Sequence, residues 1–395
     1  MAKMSKLEEL IKELCPNGVD FKALEDVIDY EQPSKYIVKN TDYSDGFPTP
    51  VLTAGQTFIL GYTNEEDGIY EANKEKPVII FDDFTTANKW VDFRFKIKSS
   101  AMKILTSKDN NKYDIRYLYH VIQTIRYVPV DHSRQWIGTY SKFTIPVPHP
   151  DVQCEIVRIL DNFTEQTAEL TAELTARKKQ YEYYRDKFIT KIAYNTVKLS
   201  EVTDIYLGLT YTPTYVENGV KFISAQNTSK DYLDLTNVKY ISREEFEKST
   251  SNAKPKRGDI LFTRVGSNLG HPVIVDTDED LCMFVSLGYL RVNSDRLLNR
   301  YLRHWMNTDL FWSQVRKNVH GAAKVNLNTG WLRNFDIILP PLNEQKHIAD
   351  MLDKFETLCN DITIGLPAEI EARKKQYEYY RDKLLTFKNI DSEAN

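Results

Sequence analysis

The twelve residues ARKKQYEYYRDK at 176–187 return unchanged at 372–383, an offset of 196. An identical dodecapeptide within one chain marks a duplication, and internal repeats set the fold question before any local propensity is weighed. Upstream the match continues at an offset of 192: Pro148, Gln153, Ile156, Leu160, Asp161 and Phe163 answer to Pro340, Gln345, Ile348, Leu352, Asp353 and Phe355. The slip between the two offsets makes the second copy longer by one tetrapeptide. Both copies predict a helix. Ile156, Leu160, Phe163, Leu170, Leu174 and Tyr181 fall at three-, four- and seven-residue steps, and the second copy follows with Ile348, Leu352, Phe355 and Ile362. Such spacing lines one helix face. Residues 151–193 hold neither Gly nor Pro, so a continuous helix there reaches roughly 60 Å at about 1.5 Å per residue. In the second copy Ile364, Gly365, Leu366 and Pro367 predict a stop and a restart, because Gly suits the residue after a helix and Pro its first turn.

The stretches around these helices differ in character. They are rich in Tyr, Phe, Val and Ile, with short β-like runs at 76–81, 91–97, 220–223, 259–263 and 272–275. Turn signals such as Asp45-Gly46, Asn218-Gly219 and Arg257-Gly258 separate the runs. The order is therefore a short helix (1–16), a domain (17–150), a spacer helix (151–193), a second domain (194–342) and a second spacer helix (343–390). The expected fold class is α+β: two pseudo-twofold-related α/β domains joined by two long antiparallel helices in a coiled-coil rod. Identical connectors beside divergent domains imply two equivalent docking surfaces and two unlike recognition surfaces.

Composition excludes some classes and leaves others open. A net charge of −4 argues against a generic polyanion binder, although a local basic patch decides an electrostatic footprint. No apolar run approaches the roughly 18 residues of a membrane helix, and no signal-peptide core is present, so a cytoplasmic protein without membrane association is expected. The four cysteines stand far apart with no CxxC pair, which disfavours structural zinc and a disulfide framework. The phosphate-loop, HExxH, GxSxG and dinucleotide fingerprints are absent, as is the Asn/Asp-Pro-Pro-aromatic tetrapeptide of amino-methyltransferases. A catalytic or metal-ligating role is therefore not expected.

Polar loops carry the remaining chemistry. In the first domain, FDDFTTANKW at 81–90 offers Thr85, Thr86, Asn88 and Lys89, and Arg134 with Gln135 adds a guanidinium and an amide. Such groups pair with guanine, adenine and phosphate oxygens. In the second domain, TRVGSNLGH at 263–271 offers Arg264, Ser267 and Asn268, and GAAKVNLNTG at 321–330 offers Lys324 and Asn326. Tyr211 is a further candidate there. Singly, each such loop also suits a plain turn, and Asp82-Asp83 suits a cap better than a metal site.

The layout and motifs resemble the specificity (S) subunit of type I restriction–modification systems, in particular its C subclass. The resemblance covers nearly the whole chain. It rests on LEELIKELCPNGVDFKALEDV at 7–27, VLTAGQTFILGY at 51–62, the loop 81–90, GDILF at 258–262, LPPLNEQ at 339–345 and the two RKKQYEYYRDK helices. It implies a non-catalytic subunit whose two target-recognition domains each contact one half of a bipartite site on double-stranded DNA. The helices would act as spacer and dock two methyltransferase subunits through Arg177, Lys178, Tyr181, Tyr184 and Arg185, and through Arg373, Lys374, Tyr377, Tyr380 and Arg381. Restriction/translocase subunits join the same assembly, and S-adenosylmethionine, ATP and Mg belong to the partners. The first domain resembles the type that reads a GAA-like trinucleotide. A tandem TAEL at 167–174 is a further family feature. The competing expectations are an S-like DNA-binding chain without active partners and a coiled-coil scaffold for other proteins.

Overall fold

The computed structural model describes residues 5–54, 57–191, 194–266, 268–318, 326–361 and 363–390. The chain divides into two compact units, Met1–Glu169 with Ile370–Asn395, and Leu170–Glu369. Both are mixed helix and sheet, and each contains one copy of the dodecapeptide.

In the first unit an antiparallel sheet runs in the order Ile28–Glu31, Met102–Ser107, Val78–Asp82, Asn88–Val91. Its central strand, VIIFD, is buried on both faces. The two-residue period of a strand splits it between two cores. Ile79 and Phe81 face the helix Ile115–Ile122, whereas Val78 and Ile80 face a smaller sheet of Ile59–Thr63, Thr49–Leu52 and Lys96–Ile97. Burying each such side chain stabilises the fold by roughly 1.5–3 kcal/mol. The β-like run at 91–97 is two strand pieces rather than one. Between them the chain leaves the sheet, and Phe95 pairs with Tyr70 through the backbone and stacks on its ring at 5.2 Å.

The second unit repeats this plan. Its sheet order is Thr203–Leu207, Leu287–Val292, Ile260–Thr263, Pro272–Ile274, again antiparallel throughout. Ile260 and Phe262 join the helix-facing core with Tyr301 and Trp305, and Leu261 joins a second core with Val273 and Tyr289. A further sheet of Tyr215–Val216, Lys239–Ile241, Val220–Ile223 and Leu281–Met283 completes it.

The helix Pro150–Ile189 is continuous for 40 residues, and its first half belongs to one unit and its second half to the other. The second copy breaks as its Gly and Pro predict, into Leu342–Asn360 and Leu366–Leu384. A buried glutamine anchors the start of each copy. Gln153 donates to the carbonyls of Lys112 and Pro148 and accepts from the Asp114 N–H; Gln345 donates to those of Arg296 and Pro340 and accepts from the Leu298 N–H. Within the first unit, the segment after the C-terminal helix returns to the start of the domain. The Val19 N–H donates to Lys388 O at 2.9 Å and the Ile390 N–H to Val19 O at 3.1 Å. Gly18 permits that approach: its φ is +109°, and a β-carbon there would stand 2.4 Å from Lys388 O. Among the described residues no helix is long and apolar enough to cross a membrane.

Candidate nucleic-acid interface

In the first unit two polar segments from distant parts of the chain meet at Asp83. The residue directly follows the central strand and is fully buried. Its N–H donates to Ala101 O at 2.8 Å, and its carbonyl accepts the Gln135 N–H at 2.8 Å. Its Oδ1 accepts the Trp136 N–H at 2.8 Å. Its Oδ2 accepts no hydrogen bond among the described residues but faces two cations, Lys103 at 3.3 Å and Arg134 at 3.9 Å. Lys103 is buried and bonded to Gln32, while the Arg134 side chain is 48% exposed. Asp82 shapes the adjoining turn. It accepts the N–H of Phe84 at 2.9 Å and the Thr85 hydroxyl at 2.6 Å. Thr86 there has a φ of +60°, a conformation costly for a β-branched residue.

The candidates separate in this setting. Thr85, Lys89 and Arg134 are exposed and Asn88 is half-buried. Thr86 and Gln135 are buried. The Gln135 amide is engaged at both ends, with Tyr127 donating to its oxygen at 2.7 Å and its nitrogen donating to Ser133 O at 2.8 Å. Gln135, expected as a base contact, is thus bonded within its own loop.

The second unit builds the same junction from other residues. Arg264 follows the central strand; its N–H donates to Ser286 O at 2.8 Å, and its carbonyl accepts the Leu327 N–H at 2.9 Å. Its guanidinium is half-buried, donates to Val285 O at 3.0 Å and is pulled below its ordinary pKa by burial. Arg264, expected as a DNA contact, is thus bonded to Val285 and, at 3.5 Å, to Leu327 O. Asn326 is exposed and bridges Val265, and half-buried Asn268 reaches Thr228 O at 3.5 Å. Exposed Tyr211 donates to Glu245 at 3.2 Å. Beside this tip a cavity of about 400 Å³ is lined by Tyr215, Phe222, Asn227, Lys239 and Ser286. Ser267 and Lys324 lie outside the described residues.

The repeat helices present two faces. Inward, Tyr181 pairs with His304 Nδ1 at 3.1 Å, and His304 Nε2 lies 2.6 Å from Asp353, which Arg300 also binds. The other copy repeats the chain of contacts with Tyr377, His120, Asp161 and Arg116. Tyr184 stacks near Phe355 and Tyr380 on Phe163. Arg185 and Arg381 lie mostly covered against Asp186 and Asp382. Arg177 and Arg373 are half-buried and each bonds the glutamine three residues on. Outward stand Lys178, Lys179, Tyr183 and Lys187, matched by Lys374, Lys375, Tyr379 and Lys383. Tyr183 and Tyr379, 59% and 62% exposed, were not among the candidate docking residues. Their signal in the sequence was a tyrosine off the apolar face of the helix.

Electrostatics support the inward network. Burial pushes the His120 imidazole below its ordinary pKa, against the opposing pull of Asp161. Burial raises the carboxyls of Asp161 and Asp353, but the hydrogen bonds and charges of His120 with Arg116, and of His304 with Arg300, hold both below the usual carboxylate range. His304, Asp353 and Glu356 bring possible ligand atoms within 4.8 Å of one another. Tyr181, Arg300 and Arg303 occupy these groups, so they form an ion-pair network.

One frame used twice, with two unlike polar tips, defines a protein of tandem domains. The family described as Type I restriction modification DNA specificity domain matches residues 16–178 and 192–372, and the chain belongs to it. It is 42% identical over 416 aligned residues to the Escherichia coli type I restriction enzyme EcoR124I/EcoR124II specificity subunit, both chains being covered in full. The fold matches that of the type I S subunit from M. genitalium, with a TM-score of 0.53 and 10% identity over 93% of this chain and 96% of that one. It also matches a chain from a type I R-M system solved for its complex assembly and conformational transition, with a TM-score of 0.56 and 17% identity over 94% and 98%. The protein is thus a specificity subunit, a non-catalytic component of its class.

Proposed function

We propose that this specificity subunit reads an asymmetric bipartite site on double-stranded DNA, one half through each unit, and docks two methyltransferase subunits on its two ARKKQYEYYRDK segments. One observation carries the reading: identity between the copies reaches the exposed positions. The inward residues match because both units use the same Tyr–His–Asp–Arg contacts. Lys178, Lys179 and Tyr183, identical to Lys374, Lys375 and Tyr379, are exposed; apart from the edge contacts of Tyr183 with Tyr184 and of Tyr379 with Tyr380, they join no such network among the described residues. Two copies of one partner account for their identity. On this reading 17–150 and 194–342 are the recognition domains, and 151–193 and 343–390 the spacer helices. S-adenosylmethionine, ATP and Mg act in the methyltransferase and restriction/translocase partners.

The native mass of the chain assembled with its methyltransferase tests this, with one to two expected; a complex that saturates at one to one overturns it. The tandem TAEL lies within the uninterrupted helix. Four helical residues span about 6 Å and rotate roughly 40° beyond a full turn, against about 3.4 Å and 35° for one base pair. Deleting residues 171–174 is therefore expected to shorten the unread spacer by about one base pair, as mapped methylation sites would report.

A further inference from the structure

The two tips can be aligned through their backbone hydrogen bonds. Asp82 pairs with Met102 and Thr263 with Leu287, each closing the central ladder of its sheet. The next residue, Asp83 or Arg264, donates its N–H to the residue just before the neighbouring strand, Ala101 or Ser286, at 2.8 Å in both. Its carbonyl then accepts one incoming N–H, from Gln135 at 2.8 Å or Leu327 at 2.9 Å. These three correspondences make Arg134 of the first unit and Asn326 of the second the same position. They are 192 residues apart, the offset of the helix repeat that follows them. Both are exposed at the mouth of the junction.

We propose that Arg134 and Asn326 are the equivalent base-reading residues of the two units, Arg134 for a guanine and Asn326 for an adenine. The inference rests on the DNA-reading function above and deepens it to two named side chains. A guanidinium fits the O6 and N7 acceptors of guanine as a fork, and a carboxamide fits N6 and N7 of adenine. Specificity also needs a side chain held in place rather than merely exposed. Asp83 provides that hold in the first unit. Its carboxylate is buried, one oxygen is fixed by the Trp136 N–H, and the other lies 3.9 Å from one Arg134 nitrogen. Lys103, at 3.3 Å, already balances the buried charge, so the positive charge of Arg134 remains for a ligand. In the second unit the Val265 bridge pins the Asn326 backbone, and Arg264 ties the next residue, its carbonyl accepting the Leu327 N–H at 2.9 Å and its Nε donating to Leu327 O at 3.5 Å. Thus the position is common and its chemistry differs, as two unlike half-sites require.

The test uses the full chain assembled with its methyltransferase. The wild-type site is first mapped by methylome sequencing. Affinities are then measured on duplexes of that site carrying each single base-pair change. Arg134→Ala is expected to lose discrimination at one G·C pair of one half-site by about 5- to 150-fold, the range of one bidentate pair, with the other half-site unchanged. Asn326→Ala is expected to do the same at one A·T pair of the other half. Arg134→Gln is expected to move preference at its pair from G·C toward A·T. Arg134→Lys, which keeps the charge facing Asp83, serves if the smaller side chain impairs folding; it loses the planar fork but still reaches guanine, so discrimination at that one pair is expected to weaken rather than vanish. A uniform loss on all duplexes, with the salt slope reduced by about one, makes Arg134 a phosphate contact and overturns the proposal. Unchanged discrimination, or relaxation in both half-sites, overturns it as well. A wild-type complex with no sequence preference would instead sink the DNA-reading function itself.

Discussion

Compared side by side, the two units agree where they are buried and part company at their tips. Gln153 and Gln345 make the same three bonds, and Tyr117 donates to Pro146 O at 3.0 Å and Tyr301 to Ile338 O at 2.9 Å, each on the strand that leads into a copy of the repeat helix. His120 and His304 join Tyr, Asp and Arg in the same order. At the junction after the central strand, however, an acid stands in one unit and a base in the other. Side chains that close the frame answer to their neighbours within the chain, whereas those at the tips answer to a ligand. Duplication therefore leaves the first group alike and frees the second to diverge.

The largest effect is expected from the shared glutamines. Removing either side chain strands two carbonyls and one N–H in the interior, and each unsatisfied group costs about 1–3 kcal/mol. Gln153→Ala and Gln345→Ala are each expected to destabilise their own unit by about 3 kcal/mol in denaturant unfolding. If only one of them does so, the equivalence of the units breaks.

Acid should act next. The His120 pKa is depressed, so the unfolded chain takes up its proton first, and the first unit loses stability as pH falls through about 6.5 toward the folded value. Asp161 and Asp353 also have depressed pKa values. Their contribution is complete above the ordinary carboxylate range and is lost as pH falls through the folded values. Asp161→Asn is expected to remove part of the acid dependence of the first unit alone, as read from unfolding midpoints between pH 3 and 8 (roughly the span of the two titrations). A wild-type midpoint that stays flat across this range would count against the network.

A smaller change sharpens the contrast between the faces of the repeat. Tyr183→Ala or Tyr379→Ala is expected to leave stability within about 0.5 kcal/mol yet weaken one methyltransferase site by about tenfold, a cost typical of an aromatic anchor. Tyr181→Ala should do the reverse, lowering stability first. Equal effects from Tyr181 and Tyr183 would erase the distinction. The smallest effect belongs to Thr86, whose φ of +60° suits glycine. Thr86→Gly is expected to stabilise the first unit by up to about 1 kcal/mol in thermal unfolding; a clear loss would show that the Thr86 side chain holds the turn.

Much of the frame was legible because it is written in short-range patterns. The period of Ile156, Leu160 and Phe163 announces a helix, and Gly365-Leu-Pro367 announces its interruption. The tips were legible only as polar loops. Gln135 and Arg264 carry the right functional groups for DNA, yet the Gln135 amide bonds Tyr127 and Ser133 of its own loop and the Arg264 guanidinium bonds Val285 O, 21 residues on. The inward network was invisible, since His120 meets Asp161 across 41 residues and Tyr377 across 257.

The sequence by itself determined the duplication, the helical character of both copies and the presence of two unlike domains. Identity and periodicity are properties of neighbours along the chain, and they need no fold to be read. Only the tertiary structure decided which repeat residues turn inward and which loop residues remain exposed. The offset of 192 already lines Arg134 up with Asn326, but only the tertiary structure places both at the exposed mouth of an equivalent junction, because strand pairing brings distant segments into a register set by backbone hydrogen bonds.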